Sequence, residues 1–252
     1  MRCLLIVSLL AIQSCHAEPA PAQARTVSES NAPLPGPARA KAAAARVRPA
    51  LERDLTALGL HFGDPVFLRA FKEEKQLELW VHHRKTGKYA LFRTWAIAAQ
   101  SGKPGPKLAE GDRQVPEGFY TVPPSAMKPD SSFHLAFNIG YPNAYDRHHG
   151  RTGSLIMIHG NQVSIGCLAM TDAVIEQIYT LCAAAFSNGQ KSFRVHIFPF
   201  RMTAARMEKE SSNEWHAFWK ELHTGYDDFE KNKIPPEVTV RNGRYQFSDV
   251  KE

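Results

Sequence analysis

Leu155-Ile156-Met157-Ile158-His159-Gly160-Asn161-Gln162-Val163-Ser164-Ile165-Gly166-Cys167 is the stretch on which both the fold and the chemistry turn. Leu155 to Ile158 is a short apolar run that reads as a buried strand. His159-Gly160 closes it. A glycine-flanked loop then carries Ser164-Ile165-Gly166 and delivers Cys167 ahead of a helix expected from Thr171. A thiol near a helix N-terminus is stabilised as thiolate by the dipole, and further by a nearby His⁺. Gly160 and Gly166 permit tight backbone turns. The N–H groups of Ile165 to Cys167 are expected to aim at a developing oxyanion. Thiol, base and oxyanion donors are the parts that acyl transfer requires. Singly, a histidine after a strand or a buried cysteine is ordinary packing. It is their closeness at one strand–loop–helix junction that favours chemistry.

Working outward, Val47, Leu51, Leu55 and Leu58 recur at helical spacing, with Pro49 acceptable in a first turn and Gly59 ending the run. Pro65–Phe71 and Leu77–Val81 flank a charged turn and read as a hairpin, with Tyr89–Ala98 as a third strand. Ser101–Glu117 is loop-like. Gly118–Val122 is a short strand. Pro123–Gly153 has weak periodicity, and a loop of that length is usually functional. Thr171 caps a helix to about Phe186, and Phe193–Phe198 is a strand. Ser211-Ser212-Asn213-Glu214 reads as a capping box ahead of an aromatic stripe of core type, Trp215, Phe218, Trp219, Leu222 and Tyr226. Asn242-Gly243 between alternating Val238, Val240, Tyr245 and Phe247 predicts a type I′ hairpin. Strands dominate the middle and helices flank them, so the class is α+β.

The chain has 252 residues, 43% hydrophobic and 22% charged. These values exclude a disordered, collagen-like or membrane-bundle chain. The net charge of +6 is mild, suits carboxylate-rich or phosphate-rich partners, and comes without the basic run of a nucleic-acid binder. Residues 1–17 read as a signal peptide cut before Glu18, with lipid attachment at Cys15 as the alternative. Residues 18–45 are rich in Ala and Pro and are expected to be a linker. Residues 46–210 then form the main domain, and 211–252 a helix-and-hairpin extension packed on it. Cys182 falls on an apolar helix stripe, too far along the chain from Cys167 for a disulfide. Cys167 is therefore expected to be a free thiol in a secreted protein. Zinc would need more ligands, and the other His pairs, His82-His83 and His148-His149, are expected on exposed surface.

Further stretches bear on family: Gly105-Pro106-Lys107-Leu108 with Gly111-Asp112, Pro116-Glu117-Gly118-Phe119-Tyr120, Phe133-His134-Leu135, Phe137–Asp146, Gly150-Arg151-Thr152-Gly153-Ser154, Ala169–Asp172 and Val195–Thr203. With the His159–Cys167 motif, they make the chain resemble the YkuD-type L,D-transpeptidases, and closely their YafK branch, from about Gly59 to the C-terminus. The resemblance implies a β-rich catalytic domain of the bacterial envelope, with flanking helices and a C-terminal helix plus hairpin. It implies attack by a cysteine on the carbonyl at the L-centre of meso-diaminopimelate in a peptidoglycan stem peptide. Carried over, Cys167 is the nucleophile, His159 the general base, and Gly166 part of the motif shaping the oxyanion site. Arg151, Arg147 and Lys107 are candidates to bind stem carboxylates. Asn138 and Tyr141 are candidates to orient the peptide, His134 to line the cleft, and Ser164 to bind substrate. Asp112 and Asp146 are expected to pin loops. No cofactor or metal is implied, and a monomer is expected.

The chain departs from the broader pattern. The spacer between His159 and Cys167 is short. Ile165 stands where a second histidine is usual, and Leu168-Ala169 where Arg or Asn is usual. These are features of the YafK branch, which includes an amidase that cuts the link between peptidoglycan and an attached lipoprotein. The favoured reading is therefore a periplasmic hydrolase of that link. L,D-transpeptidation and a non-catalytic wall-binding module are the alternatives. A peptidase of the papain kind is disfavoured by chain order, since His159 precedes Cys167.

Overall fold

The computed structural model describes residues 38–248. The signal segment, Cys15 and residues 18–37 of the expected linker lie outside the described residues. The rest of that linker is not a linker. Helix α1 spans Ala38–Ala57, and Ala40, Ala43 and Ala44 are buried. Alanine has the highest helix propensity, and small buried faces let helices approach closely. Pro49 consequently lies inside α1 rather than in its first turn. An interior proline costs about 3 kcal/mol. Burial of Leu51 and Leu55, at about 1.5–3 kcal/mol each, offsets that.

Strands β1 (Val66–Phe71), β2 (Gln76–His83) and β3 (Lys88–Ala96) form the expected antiparallel meander. Strand β4 (Gly118–Val122) follows the 101–117 loop. The 123–153 stretch has structure of its own: β5 (Met127–Lys128), β6 (Ala136–Asn138) and α2 (Ala144–His148). Next come β7 (Met157–His159), β8 (Leu168–Ala169), α3 (Asp172–Ser187) and β9 (Phe193–Phe198). Helices α4 (Ala204–Lys209) and α5 (His216–Asn232) lead to the hairpin β10 (Glu237–Arg241) and β11 (Arg244–Ser248).

The main sheet runs β3-β2-β1-β9-β4, with β1 and β9 parallel and the other pairs antiparallel. Every residue of β1 is buried, as a central strand covered on both faces requires. Leu68 and Ala70 face a core shared with α1, α3 and the second sheet. Phe71 faces a second core with α5 and the terminal hairpin. This is the strand alternation of period two. Arg69 is buried in the same strand and pairs with Glu78 at 2.9 Å and with Glu230 of α5 at 2.7 Å. Lys72 and Glu117 form a second buried pair at 2.9 Å. Trp219 of α5 donates its indole N–H to Glu117 at 2.8 Å. The C-terminal helix is thus tied into the sheet by charge as well as by aromatic packing.

Three local expectations are corrected. Residues 211–214 form no capping box: α4 is capped by Thr203, and the first residue flanking α5 is Trp215, without a side-chain cap. Asn213 instead accepts from the Trp215 N–H, the short-range bonding that lets Asn compete with helix formation. The strand expected at Leu155–Ile158 starts at Met157; Leu155 has φ +55° and is 64% exposed. Cys167 does not sit at a helix N-terminus either, because β8 intervenes and α3 begins at Asp172, capped by Thr171. The Asn242-Gly243 turn has both residues at positive φ, as a type I′ turn demands.

Candidate active site

The second sheet runs β5-β6-β7-β8 and carries the chemistry. Strands β7 and β8 are parallel, with Ile158 opposite Leu168 and His159 opposite Ala169. That register sets Cys167, the residue before β8, alongside Met157. The Met157 N–H donates to Cys167 Sγ at 3.4 Å, and the thiol donates to the Leu155 carbonyl at 3.7 Å. Met157 and His159 are two apart on one strand and share its face. Both line a cavity of about 600 Å³ together with Cys167, Leu155, Phe133 and the arm from Met127 to Ser132. The long 123–153 stretch thus supplies one wall of the cavity.

His159 is buried. Its Nδ1 lies 2.6 Å from the Gly160 carbonyl. A carbonyl only accepts, so the proton sits on Nδ1 and Nε2 keeps its lone pair. Burial lowers the His159 pKa below its ordinary value, against the pull of the Gly160 carbonyl. Burial likewise pushes the Cys167 thiol up, while the Met157 N–H and the charge of Lys107 pull it down by less. Both shifts favour a thiol beside a neutral imidazole over the helix-stabilised thiolate expected from the sequence. Gly160 fits because a Cβ there would come within 2.6 Å of Asp172 Oδ1 and 2.8 Å of the Phe133 carbonyl. Cys167 and Cys182 are both free, as expected.

The oxyanion expectation is revised. The Gly166 N–H donates to Ser101 Oγ at 2.7 Å, and the Cys167 N–H to Ser164 Oγ at 3.1 Å. Ser164 Oγ also donates to the Cys167 carbonyl at 2.7 Å. Both N–H groups must leave a serine hydroxyl before they can meet an oxyanion. Ser164 holds the nucleophile's own backbone, rather than standing free for substrate.

The other candidates have structural partners. His134 does not line the cleft: its Nε2 is 2.8 Å from Glu176 Oε1, and Arg46 of α1 bonds the same carboxylate. Those bonds, that from Arg46 foremost, lower the Glu176 pKa. Tyr141 is buried and its hydroxyl donates to the Lys107 and Thr152 carbonyls, both at 3.2 Å. Arg151 is buried against Asp146 at 2.8 Å, beneath the rings of Tyr145 and Phe218. Asn138 accepts from the Gly140 N–H at 2.9 Å. Arg147 donates to the Pro142 carbonyl. Lys107 is held by Asp112 at 2.7 Å and by the Ala109 carbonyl at 2.8 Å. Asp112 also accepts from the Leu108, Ala109 and Gln114 N–H groups, and Asp146 accepts from Asn143 and Tyr120. Both aspartates pin loops, as expected. Sequence reasoning missed Phe133, Leu155 and Met157 as cavity residues: they lie inside the motif stretches, but an apolar side chain there reads equally as core.

A family model, YkuD, the L,D-transpeptidase catalytic domain, matches residues 69–233. The match includes His159 and Cys167 and reaches through α5. Two curated relatives, from Escherichia coli K12 and Escherichia coli O157:H7, carry the name "Putative L,D-transpeptidase YafK". Each is 48% identical over 187 residues, 74% of this chain and 75% of theirs. Among solved structures, a variant of the helical cell shape determining protein Pgp2 of Campylobacter jejuni is 21% identical, with a TM-score of 0.45, over 71% of this chain and 63% of that one. Bd1075 of Bdellovibrio bacteriovorus is 16% identical, with a TM-score of 0.36, over 71% and 78%. A family match spanning more than half the chain, around a histidine and a cysteine that open on one cavity, places this protein in the YkuD L,D-transpeptidase catalytic-domain family.

Proposed function

We propose that the protein is a cysteine acyl-transfer enzyme of the bacterial periplasm, acting on peptidoglycan stem peptides at the L-centre of meso-diaminopimelate. The observation that carries this reading is the opening of Cys167 Sγ and the His159 ring onto the same cavity of about 600 Å³. As Sγ attacks the carbonyl carbon, its proton passes to His159 Nε2. The S–C bond forms, the C–N bond breaks, and the departing amine takes the proton from Nε2. The thioester on Cys167 is then resolved by water or by a second amine, again through Nε2. With both shifts favouring the neutral pair, deprotonation accompanies attack. The Gly166 and Cys167 N–H groups become oxyanion donors once Ser101 and Ser164 release them.

Water is the favoured resolving partner, with a wall-linked lipoprotein as the amine released. This rests on the YafK-branch features Ile165 and Leu168-Ala169. Transpeptidation is the second reading, supported by the name that the curated relatives carry. Mass spectrometry of the protein incubated with stem tetrapeptide is expected to show an acyl adduct on Cys167, absent in Cys167→Ala. Turnover that survives in Cys167→Ala overturns the reading. Sacculi bearing bound lipoprotein, digested with and without an acceptor stem, separate water from amine: free lipoprotein without acceptor marks the hydrolase.

A further inference from the structure

Cys167 has a second open side. A smaller cavity of about 130 Å³ shares Leu155 and Cys167 with the large one, and its lining includes Lys107, Glu110, Arg113, Ile156 and Ile165. His159 belongs to the large cavity alone. Since Nε2 must hand its proton to the departing amine, the amine side of the substrate lies in the large cavity. The acyl side then faces the small one.

Two opposite charges are available there. The Arg113 carbonyl accepts from Ser101 Oγ at 2.6 Å, and the Glu110 N–H donates to Thr152 Oγ1 at 3.1 Å. Both backbones are thus tied down. Among the described residues neither side chain has an ion pair or hydrogen bond, with each other or with anything else, and both residues are exposed. Lys107, by contrast, is already paired with Asp112 at 2.7 Å. The volume suits a few methylenes and one small polar head, not a peptide.

We propose that this smaller cavity is the subsite for the side-chain end of the acyl-donor residue. That end is an α-amino-acid head, its carboxylate taken by Arg113 and its ammonium by Glu110. The proposal rests on the acyl-enzyme reading above and adds to it the residues that select the donor. A planar guanidinium takes a carboxylate through paired N–H donors. Ile156 and Ile165 flank the methylenes that join this head to the reacting centre.

The test uses three stem tetrapeptides that differ only in the third residue: diaminopimelate with both charges, lysine with the ammonium alone, and norleucine with neither. Acylation of Cys167 is followed by mass spectrometry. Wild-type protein is expected to favour diaminopimelate over lysine by about 10- to 100-fold in kcat/KM, the range of a charge-assisted hydrogen bond. Arg113→Ala is expected to collapse that ratio towards one, and Arg113→Lys to restore part of it. Glu110→Gln is expected to collapse the lysine-to-norleucine ratio. Thermal melting and the alkylation rate of Cys167 serve as folding controls for each variant. Equal rates for all three peptides in the wild type, or an unchanged ratio in Arg113→Ala, overturn the subsite while leaving the acyl-enzyme intact. No adduct with any peptide overturns the acyl-enzyme reading, and the subsite falls with it.

Discussion

The ring of Phe133 lies 4.7 Å from the imidazole of His159, centroid to centroid, with the planes at 39°. Phe133 is 40% exposed, so it shields the base from water while facing the cavity itself. Burial is what lowers the His159 pKa from its ordinary 6.5. Phe133→Ala readmits water and moves that pKa back up. A base must be neutral to act, so the acid limb of the kcat/KM profile is expected to shift to higher pH. An NMR titration of the ring checks it, and an unmoved titration rules out shielding by Phe133.

The thiol carries the opposite shift. Burial raises Cys167 above the ordinary 9.0. Alkylation by iodoacetamide is therefore expected to keep climbing above pH 9, with no reactive plateau near neutrality. His159→Ala should lower acylation by peptide by about 10²–10⁴-fold, the usual contribution of a general base. A thiol that alkylates at its full rate at pH 6 would mean a preformed thiolate.

His134 separates position in the sequence from position in the site. Its bond to Glu176 joins the 131–134 segment to α3, and Arg46 joins α1 to the same carboxylate. His134→Ala is expected to destabilise the fold by about 1 kcal/mol, the net worth of one such bond. The KM for stem peptide should stay within about twofold. A large rise in KM with an unchanged melting temperature would return His134 to the cleft.

His196 sets an acid limit on stability. It is buried among Phe67, Phe119 and Phe198, and among the described residues neither ring nitrogen has a hydrogen-bond partner. Burial holds its pKa well below 6.5, with Arg194 and Arg69 adding to the effect. Below pH 6.5 the unfolded chain binds a proton that the folded chain refuses. Stability therefore falls as pH drops from 6.5 towards the folded pKa, by up to about 1.4 kcal/mol per pH unit for this one group. His159, shifted the same way, adds to the slope. His196→Phe should flatten the decline in denaturant melts between pH 6.5 and 5, and parallel slopes in the two proteins would clear His196.

Local signals were legible wherever a short stretch of chain decides its own conformation. Thr171 caps α3, Asn242-Gly243 turns the terminal hairpin, and a charged turn between two apolar runs marks β1 and β2. His159 and Cys167 were legible as a pair because one loop and one strand register bring them together. The linker boundary failed because an Ala-rich run becomes a helix only when another surface covers it. Ser211–Glu214 failed because Asn213 found its own backbone partner first.

What the tertiary structure alone decided was the partner of each polar side chain. Arg151, Tyr141, His134 and Asn138 have the chemistry of substrate binders, yet Tyr141 and His134 bond residues of other segments, while Arg151 and Asn138 bond within their own turns. Arg113 and Glu110 carry no more signal in the chain than any surface charge, and among the described residues the fold leaves them unpaired beside the thiol. Residue type sets what a group is able to bond. Whether that capacity is spent inside the protein or left open to a ligand depends on which distant segment packs against it, and that is settled only when the two sheets and their helices close around the core.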